Sequence, residues 1–203
     1  MSLKIAIGLG NTGAEYVGTR HNAGESVLRE VARECGADFA HDKYCAAQIA
    51  KVSVASKPLV LAFADGYMNL SGVGVAKILK FFKFDISEAA VIYDDITLDV
   101  GRMKLSVGGS SGGHNGVADV MAKCGNGFAR IRIGIGAKPY KSMDLADYVL
   151  GRLDESDAAA IKSLDVKGCL SLLLTKGFEG AQNVVNRRCD AKIFRKNLTK
   201  PII

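Results

Sequence analysis

G-L-G-N-T-G-A-E-Y-V-G-T-R-H-N, residues 8–22, is the stretch from which the rest of this chain is read. The apolar run at residues 4–9 predicts a buried strand. The glycines behind it release the backbone into a loop that ends at Arg20, His21 and Asn22, where helical spacing begins. A polar cluster on the rim of a buried strand is where an α/β protein places its chemistry. Asn11, Tyr16, Arg20, His21 and Asn22 bring donors, acceptors and one titratable ring into a short loop, and His21 is the leading candidate for a catalytic base.

Gly8, Gly10 and Gly13 also spell G-x-G-x-x-G, the dinucleotide fingerprint. In that fingerprint a helix opens at the third glycine, so that its N–H groups and dipole hold a pyrophosphate. Here Gly18 and a non-periodic stretch delay the helix by about two turns' worth of residues. The strand that follows, read at residues 47–55, has no acid at its end for a ribose. The glycines therefore read as loop, and no cofactor is expected.

Working outward, Val27, Leu28, Val31, Ala32 and Cys35 repeat at helical spacing, with Asn22 and Glu25 as a capping box and Gly36 as a stop. Residues 47–55 alternate and residues 59–64 are an apolar run, which predicts a hairpin through Ser56 and Lys57. D-G-Y-M-N-L at residues 65–70 forms a second polar rim, and Ser71 caps a helix with Val75, Ile78, Leu79 and Phe82 on its apolar stripe. Residues 89–93 read as a central strand ending in Asp94 and Asp95. Residues 102–107 alternate, G-G-S-S-G-G-H-N-G follows at 108–116, and a helix begins near Val117. Residues 130–135 read as the last strand, and the pattern is helical from Leu153. The fold class expected is α/β: one α/β/α domain on a mixed, mostly parallel twisted sheet flanked by helices, with a catalytic domain over residues 1–190 and a basic tail at 191–203.

A chain of 203 residues, 48% hydrophobic, suits one domain better than two. Lys and Arg number 27 against 21 acids, a net charge of +6, which favours an acidic partner, with nucleic acid first among them. The excess is concentrated at Arg187, Arg188, Lys192, Arg195, Lys196 and Lys200, with Asp190 the only acid among them. Five cysteines without a C-x-x-C pair argue against a disulfide framework and a zinc site. No run reads as a signal peptide or a membrane span, so a reduced, cytoplasmic protein is expected, with no membrane partner.

Asn11, His21, Asn69, Asp94, His114 and Asn115 lie on four loops, each beside an apolar strand. A single asparagine or histidine more often holds a turn; six on one rim suggest a site. Asp94 behind His21 makes an orienter and a base, since a carboxylate on one ring nitrogen leaves the other free to take a proton. The asparagines suit positioning water and stabilising an oxyanion. Two rivals compete for the same region. His21, His114, Asp94 and Asp95 are metal-ligating types, but without H-x-x-x-H or D-x-D spacing no metal is expected. G-S-S-G-G at residues 109–113 fits a nucleophile elbow around Ser111, yet it sits in a glycine-rich stretch with no Asp-then-His order after it.

With these motifs laid out, the chain resembles the bacterial peptidyl-tRNA hydrolases from about residue 4 to residue 188. The resemblance rests on residues 8–22, Y-M-N-L-S-G at 67–72, Y-D-D at 93–95, the loop at 108–116 and R-I-R-I-G-I-G at 130–136. It implies a monomeric enzyme, free of cofactor and metal, that cleaves the ester joining an N-blocked peptidyl group to the terminal ribose of tRNA. In that reading His21 is the general base, Asp94 holds it, and Asn11 tells a blocked from a free aminoacyl group. Tyr16, Tyr67, Met68, Asn69, His114 and Asn115 contact the tRNA end or the peptide, and Arg132 grips a phosphate. Two positions depart from the family pattern: Thr12 stands where a proline is usual, and Ser106 where relatives carry a phosphate-gripping lysine, a role open to Lys104. An alternative is a non-catalytic RNA-binding protein on the same fold, as in plant relatives that have become splicing cofactors.

Overall fold

Continuous apolar runs supply the centre of a seven-stranded sheet, and alternating or shorter runs supply its margins. A computed structural model describes residues 2–198, with side chains described as far as residue 187. In chain order the elements are β1 (Ile5–Gly8), α1 (Ala23–Glu34), β2 (Ala40–Asp42), β3 (Ala47–Val54), β4 (Lys57–Ala64), α2 (Ser71–Phe82), β5 (Ala89–Asp95), β6 (Met103–Val107), α3 (Asn115–Cys124), β7 (Ala129–Gly134), α4 (Leu145–Leu150), α5 (Glu155–Lys162) and α6 (Val166–Leu198). Helix α6 is interrupted at Gly177, whose φ of 69° leaves the helical region. The strand order is β2-β3-β4-β1-β5-β7-β6. The central strands β4, β1, β5 and β7 pair in parallel, while β2, β3 and β6 add antiparallel margins.

Strand alternation divides the core into two layers. Ile5, Ile7, Val91 and Tyr93 face α2 and α3 with Val75, Ile78, Val117 and Val120. Ala6, Ile92, Ile131 and Ile133 face α1, α5 and α6 with Val27, Leu28, Ile161, Leu170 and Leu173. Because four neighbouring strands run parallel, their C-terminal ends open on one edge of the sheet. The loops after β1, β4 and β5 and the loop before α3 gather there.

Several local expectations are corrected. The β3–β4 hairpin turns at Ala55 and Ser56, with Val54 paired to Lys57; φ values of 51° and 60° at the two turn residues match the left-handed pair that a two-residue hairpin needs. Pro58 sits inside β4 opposite Ser53. Ser71 is the first residue of α2, and its hydroxyl donates to the Met68 carbonyl at 2.7 Å, so it locks the preceding turn and does not cap the helix. Strand β2 and helix α4 have only 3 and 6 residues, too few to show a period. Asp42 at the end of β2 is occupied locally by the N–H groups of Tyr44 and Cys45. The side chains of Arg188, Lys192, Arg195, Lys196 and Lys200, and with them the charge expected of a basic tail, lie outside the described residues. Among the described residues no helix is long and apolar enough to cross a membrane.

Candidate active site

His21 lies in a short 3-10 turn, Arg20–Asn22, that runs directly into α1 at Ala23. The turn lies hard against β5: a Cβ on Gly24 would come within 2.2 Å of the Ile92 carbonyl, so glycine here is a packing requirement. This contact brings His21, 9% exposed, over Asp94, 3% exposed, at the end of β5. His21 Nδ1 lies 2.9 Å from Asp94 Oδ1, and His114 Nε2 lies 2.9 Å from the same oxygen.

Proton positions follow from this geometry. Burial by itself would raise the Asp94 pKa, but the charge and hydrogen bond of His114, with the hydrogen bond and charge of His21, bring it down to about 2. Asp94 is therefore a carboxylate at neutral pH and only accepts, so both facing ring nitrogens donate. The N–H of Val117 donates to His114 Nδ1 at 3.2 Å, which independently puts the His114 proton on Nε2. His21 then carries its proton on Nδ1, and its Nε2 keeps a lone pair.

Asn11 and Asn22 form a second network. The capping box expected from Asn22 and Glu25 does not form. Asn22 Oδ1 accepts the Asn11 N–H and Asn22 Nδ2 donates to the Asn11 carbonyl, both at 2.9 Å, so Asn22 braces the first loop and does not cap α1. Asn11 Oδ1 accepts the Met68 N–H at 2.6 Å. This orients the Asn11 amide and leaves Nδ2 as its one open hydrogen-bonding group.

These groups share a cavity of about 930 Å³. Tyr16, Tyr67, Met68, Asn69 and Asn115 line it, together with residues 108–113, Arg130 and Arg132. Tyr16 and Tyr67 meet edge to face with centroids 6.4 Å apart. The side chains of Asn69 and Asn115 are exposed at the rim and make no hydrogen bond within the described structure. Met68 is buried, and its sulfur would meet a Cβ on Gly116 at 2.5 Å, which fixes the first turn of α3 against it.

Two of the residues expected at the substrate also have partners within the protein. His114 lines the cavity, with Nε2 on Asp94 Oδ1 and Nδ1 accepting the Val117 N–H. Arg132 is ion-paired through Nε with Asp95 and bonded to Thr97, so it reaches the cavity as a neutralised pair. Burial would raise the Asp95 pKa, but hydrogen bonds from Thr97 and Arg132 hold it below the usual range.

Three features escaped the sequence reading. Arg130 is a buried guanidinium under the glycine-rich loop. Tyr93 is packed edge-on to His114, with ring centroids 5.1 Å apart. Helix α4 walls the cavity with Leu145, Val149 and Leu150. Arg20 ties that wall to the His21 turn, donating to the Tyr148 and Arg152 carbonyls with its guanidinium 4.6 Å from the Tyr148 ring centroid. Only the alternation in R-I-R-I pointed to Arg130, and nothing in the short α4 sequence marked it as a wall.

Ligand atoms of His21, Asp94 and His114 lie within 4.8 Å of one another, the one grouping among the described residues able to hold a metal ion. A cation there would have to displace both N–H protons now bonded to Asp94. The Ser111 hydroxyl makes no hydrogen bond to either imidazole, and only its carbonyl accepts the His114 N–H at 3.1 Å, so the nucleophile-elbow reading finds no base. Cys35, Cys45, Cys124 and Cys169 are free thiols, and burial pushes Cys169 up to about 12, far from a reactive thiolate.

Residues 5–193 match the family model described as peptidyl-tRNA hydrolase. The chain belongs to that family. A peptidyl-tRNA hydrolase of Lachnospira eligens is 41% identical over 187 residues, covering 90% of this chain and 98% of the relative. One from Anaeromyxobacter sp. strain K is 39% identical over 193 residues, covering 93% and 99%. The crystal structure of peptidyl-tRNA hydrolase from Acinetobacter baumannii superposes with a TM-score of 0.84 at 28% identity, covering 91% of this chain and 94% of the other. The hydrolase fold and the family expected from the motifs are thus both found.

Proposed function

We propose that this member of the peptidyl-tRNA hydrolase family cleaves the ester between an N-blocked peptidyl group and the 3′-terminal ribose of tRNA, with a water activated by His21. The observation that carries the reading is a buried imidazole whose Nδ1–H is held by an ionised Asp94, set in one cavity with the open amide of Asn11. His21 Nε2 takes a proton as the water oxygen attacks the ester carbonyl. The imidazolium then returns that proton to the departing ribose oxygen. The products are a peptide acid and a free 3′ hydroxyl. The amides of Asn69 and Asn115 at the cavity rim supply donors for the oxyanion.

Asn11 supplies a physical basis for selectivity. With its oxygen taken by Met68, it offers donors only. A blocked acyl group presents a carbonyl acceptor to Nδ2, whereas a free α-ammonium presents donors to donors and leaves a buried polar group unmatched. We further place the protein in the cytoplasm as a monomer that needs no cofactor or metal, on its composition and family. Hydrolysis of N-acetylaminoacyl-tRNA beside the unblocked form tests the proposal. Release from the blocked substrate alone, in the presence of a metal chelator, is expected. Tight RNA binding with release from neither would favour a purely RNA-binding protein.

A further inference from the structure

We infer that residues 108–113, backed by Arg130, form a subsite for a phosphodiester of the RNA strand that carries the ester; this rests on the function proposed above. Arg130 is 3% exposed and lines the cavity. Its Nη1 donates to the Ser110 carbonyl at 2.6 Å, its Nη2 reaches the Gly109 carbonyl and Asn126 Oδ1, and its guanidinium lies 5.0 Å from the Phe128 ring centroid. All of these partners are neutral. Among the described residues no carboxylate lies within ion-pairing distance of Arg130, and its Nε is buried without a partner. A buried cation is costly unless an anion accompanies it. Arg132, two positions along β7, has its anion in Asp95; Arg130 has none.

The loop above it is built to accept that anion. Gly108, Gly109, Gly112 and Gly113 all have positive φ, between 61° and 84°, and none has an atom within 4 Å of a Cβ position, so these glycines serve backbone direction and not packing. In a planar trans peptide the C=O and the next N–H point opposite ways. Pinning the Gly109 and Ser110 carbonyls onto Arg130 therefore turns the N–H groups of Ser110 and Ser111 away from it. The N–H groups of Gly109, Ser110, Ser111 and Gly113 make no hydrogen bond within the described structure, and that of Gly112 reaches only Ser110 Oγ at 3.4 Å. Open amides over a buried cation suit a tetrahedral oxyanion. The loop ends at His114, which shares Asp94 Oδ1 with His21, so the anion lies close to the reacting ester, as a phosphate of the same strand would.

The test uses an N-acetylaminoacyl ester on a short 3′-terminal oligoribonucleotide, made with natural phosphodiesters or with neutral methylphosphonates. With the wild-type protein, KM is expected to rise about tenfold on the methylphosphonate substrate, the loss of one charge-assisted contact, with kcat held within about twofold. That ratio should collapse towards one in Arg130→Met and persist in Arg130→Lys. Equal KM on the two substrates in the wild type overturns the proposal, even if Arg130→Met does not fold by circular dichroism. A ratio unchanged in a folded Arg130→Met overturns it too, leaving Arg130 as a brace for the loop. Removing the 5′ phosphate from full-length substrate should leave the ratio untouched; if that removal alone carries the penalty, the anion is the terminal phosphate and the diester assignment fails. Failure to hydrolyse any of these esters would instead remove the function on which the subsite rests.

Discussion

A single carboxylate oxygen organises the chemistry of this protein. Asp94 Oδ1 accepts from two imidazoles, and each is thereby held in one tautomer. Nitrogen-15 shifts of the neutral rings should show His21 as the Nδ1–H form and His114 as the Nε2–H form; finding His21 protonated on Nε2 would leave it no lone pair for water. Asp94→Asn should reduce kcat by about two to four orders of magnitude, the range seen when an orienting carboxylate or a general base is disabled. His114→Ala should lower kcat while sparing KM, and His114→Gln, whose amide can still donate, should recover part of it. The folded Asp94 pKa is depressed from 3.8 to about 2, so the unfolded chain takes up its proton first as pH falls. Its stabilising contribution, about 2 kcal/mol, is complete above the unfolded value and lost as pH drops through the folded one. Urea unfolding should show the wild type losing that increment between roughly pH 4 and pH 2, and Asp94→Asn lacking it. Asp94 was legible because it ends an apolar run and His21 because it closes a polar loop where helical spacing begins, but the bond between His114 and Asp94 was not, since nothing in the spacing of residues 94 and 114 says which loop folds back on which strand.

Elements matter here for how closely they approach. The His21 turn reaches β5 because Gly24 has no side chain, and Gly24→Ala places a methyl group against the Ile92 carbonyl. Overpacking of about 1–3 kcal/mol should lower Tm by several degrees, with activity falling in step as His21 is displaced from Asp94. At the β6 margin α6 covers the sheet edge. Asn186 Oδ1 accepts the Leu105 N–H at 2.9 Å and its Nδ2 donates to the Leu105 carbonyl at 3.0 Å, as a neighbouring strand would. Asn186→Leu leaves the Leu105 N–H unmatched, while the Leu105 carbonyl keeps Gln182 Nε2 at 3.1 Å, and should cost about 1–3 kcal/mol in urea unfolding. The central strands were readable as apolar runs and the longer helices as periodic stripes. Strand β2, helix α4 and the hairpin turn were not, because three to six residues carry no period and Ala55-Ser56 lacks the usual turn residues.

Across the whole molecule, the net charge of +6 suits the RNA substrate proposed above, while the cavity itself carries two arginines, Arg130 and Arg132, beside Asp94, Asp95 and Asp144. Raising salt from about 50 to 200 mM should lower kcat/KM by roughly an order of magnitude, mainly through KM, as for two or three phosphate contacts. Composition pointed to an acidic partner without saying where it binds. The pairing of Arg132 with Asp95 and the isolation of Arg130 are facts of packing that composition cannot contain. The central claim remains that His21 moves the proton of the attacking water. Its most direct test is single-turnover hydrolysis of N-acetylaminoacyl-tRNA by the wild type and by His21→Ala, with tRNA affinity measured in parallel. The account predicts a loss of about three orders of magnitude or more in the chemical step with affinity nearly unchanged; a folded His21→Ala protein that cleaves within tenfold of the wild type would contradict it.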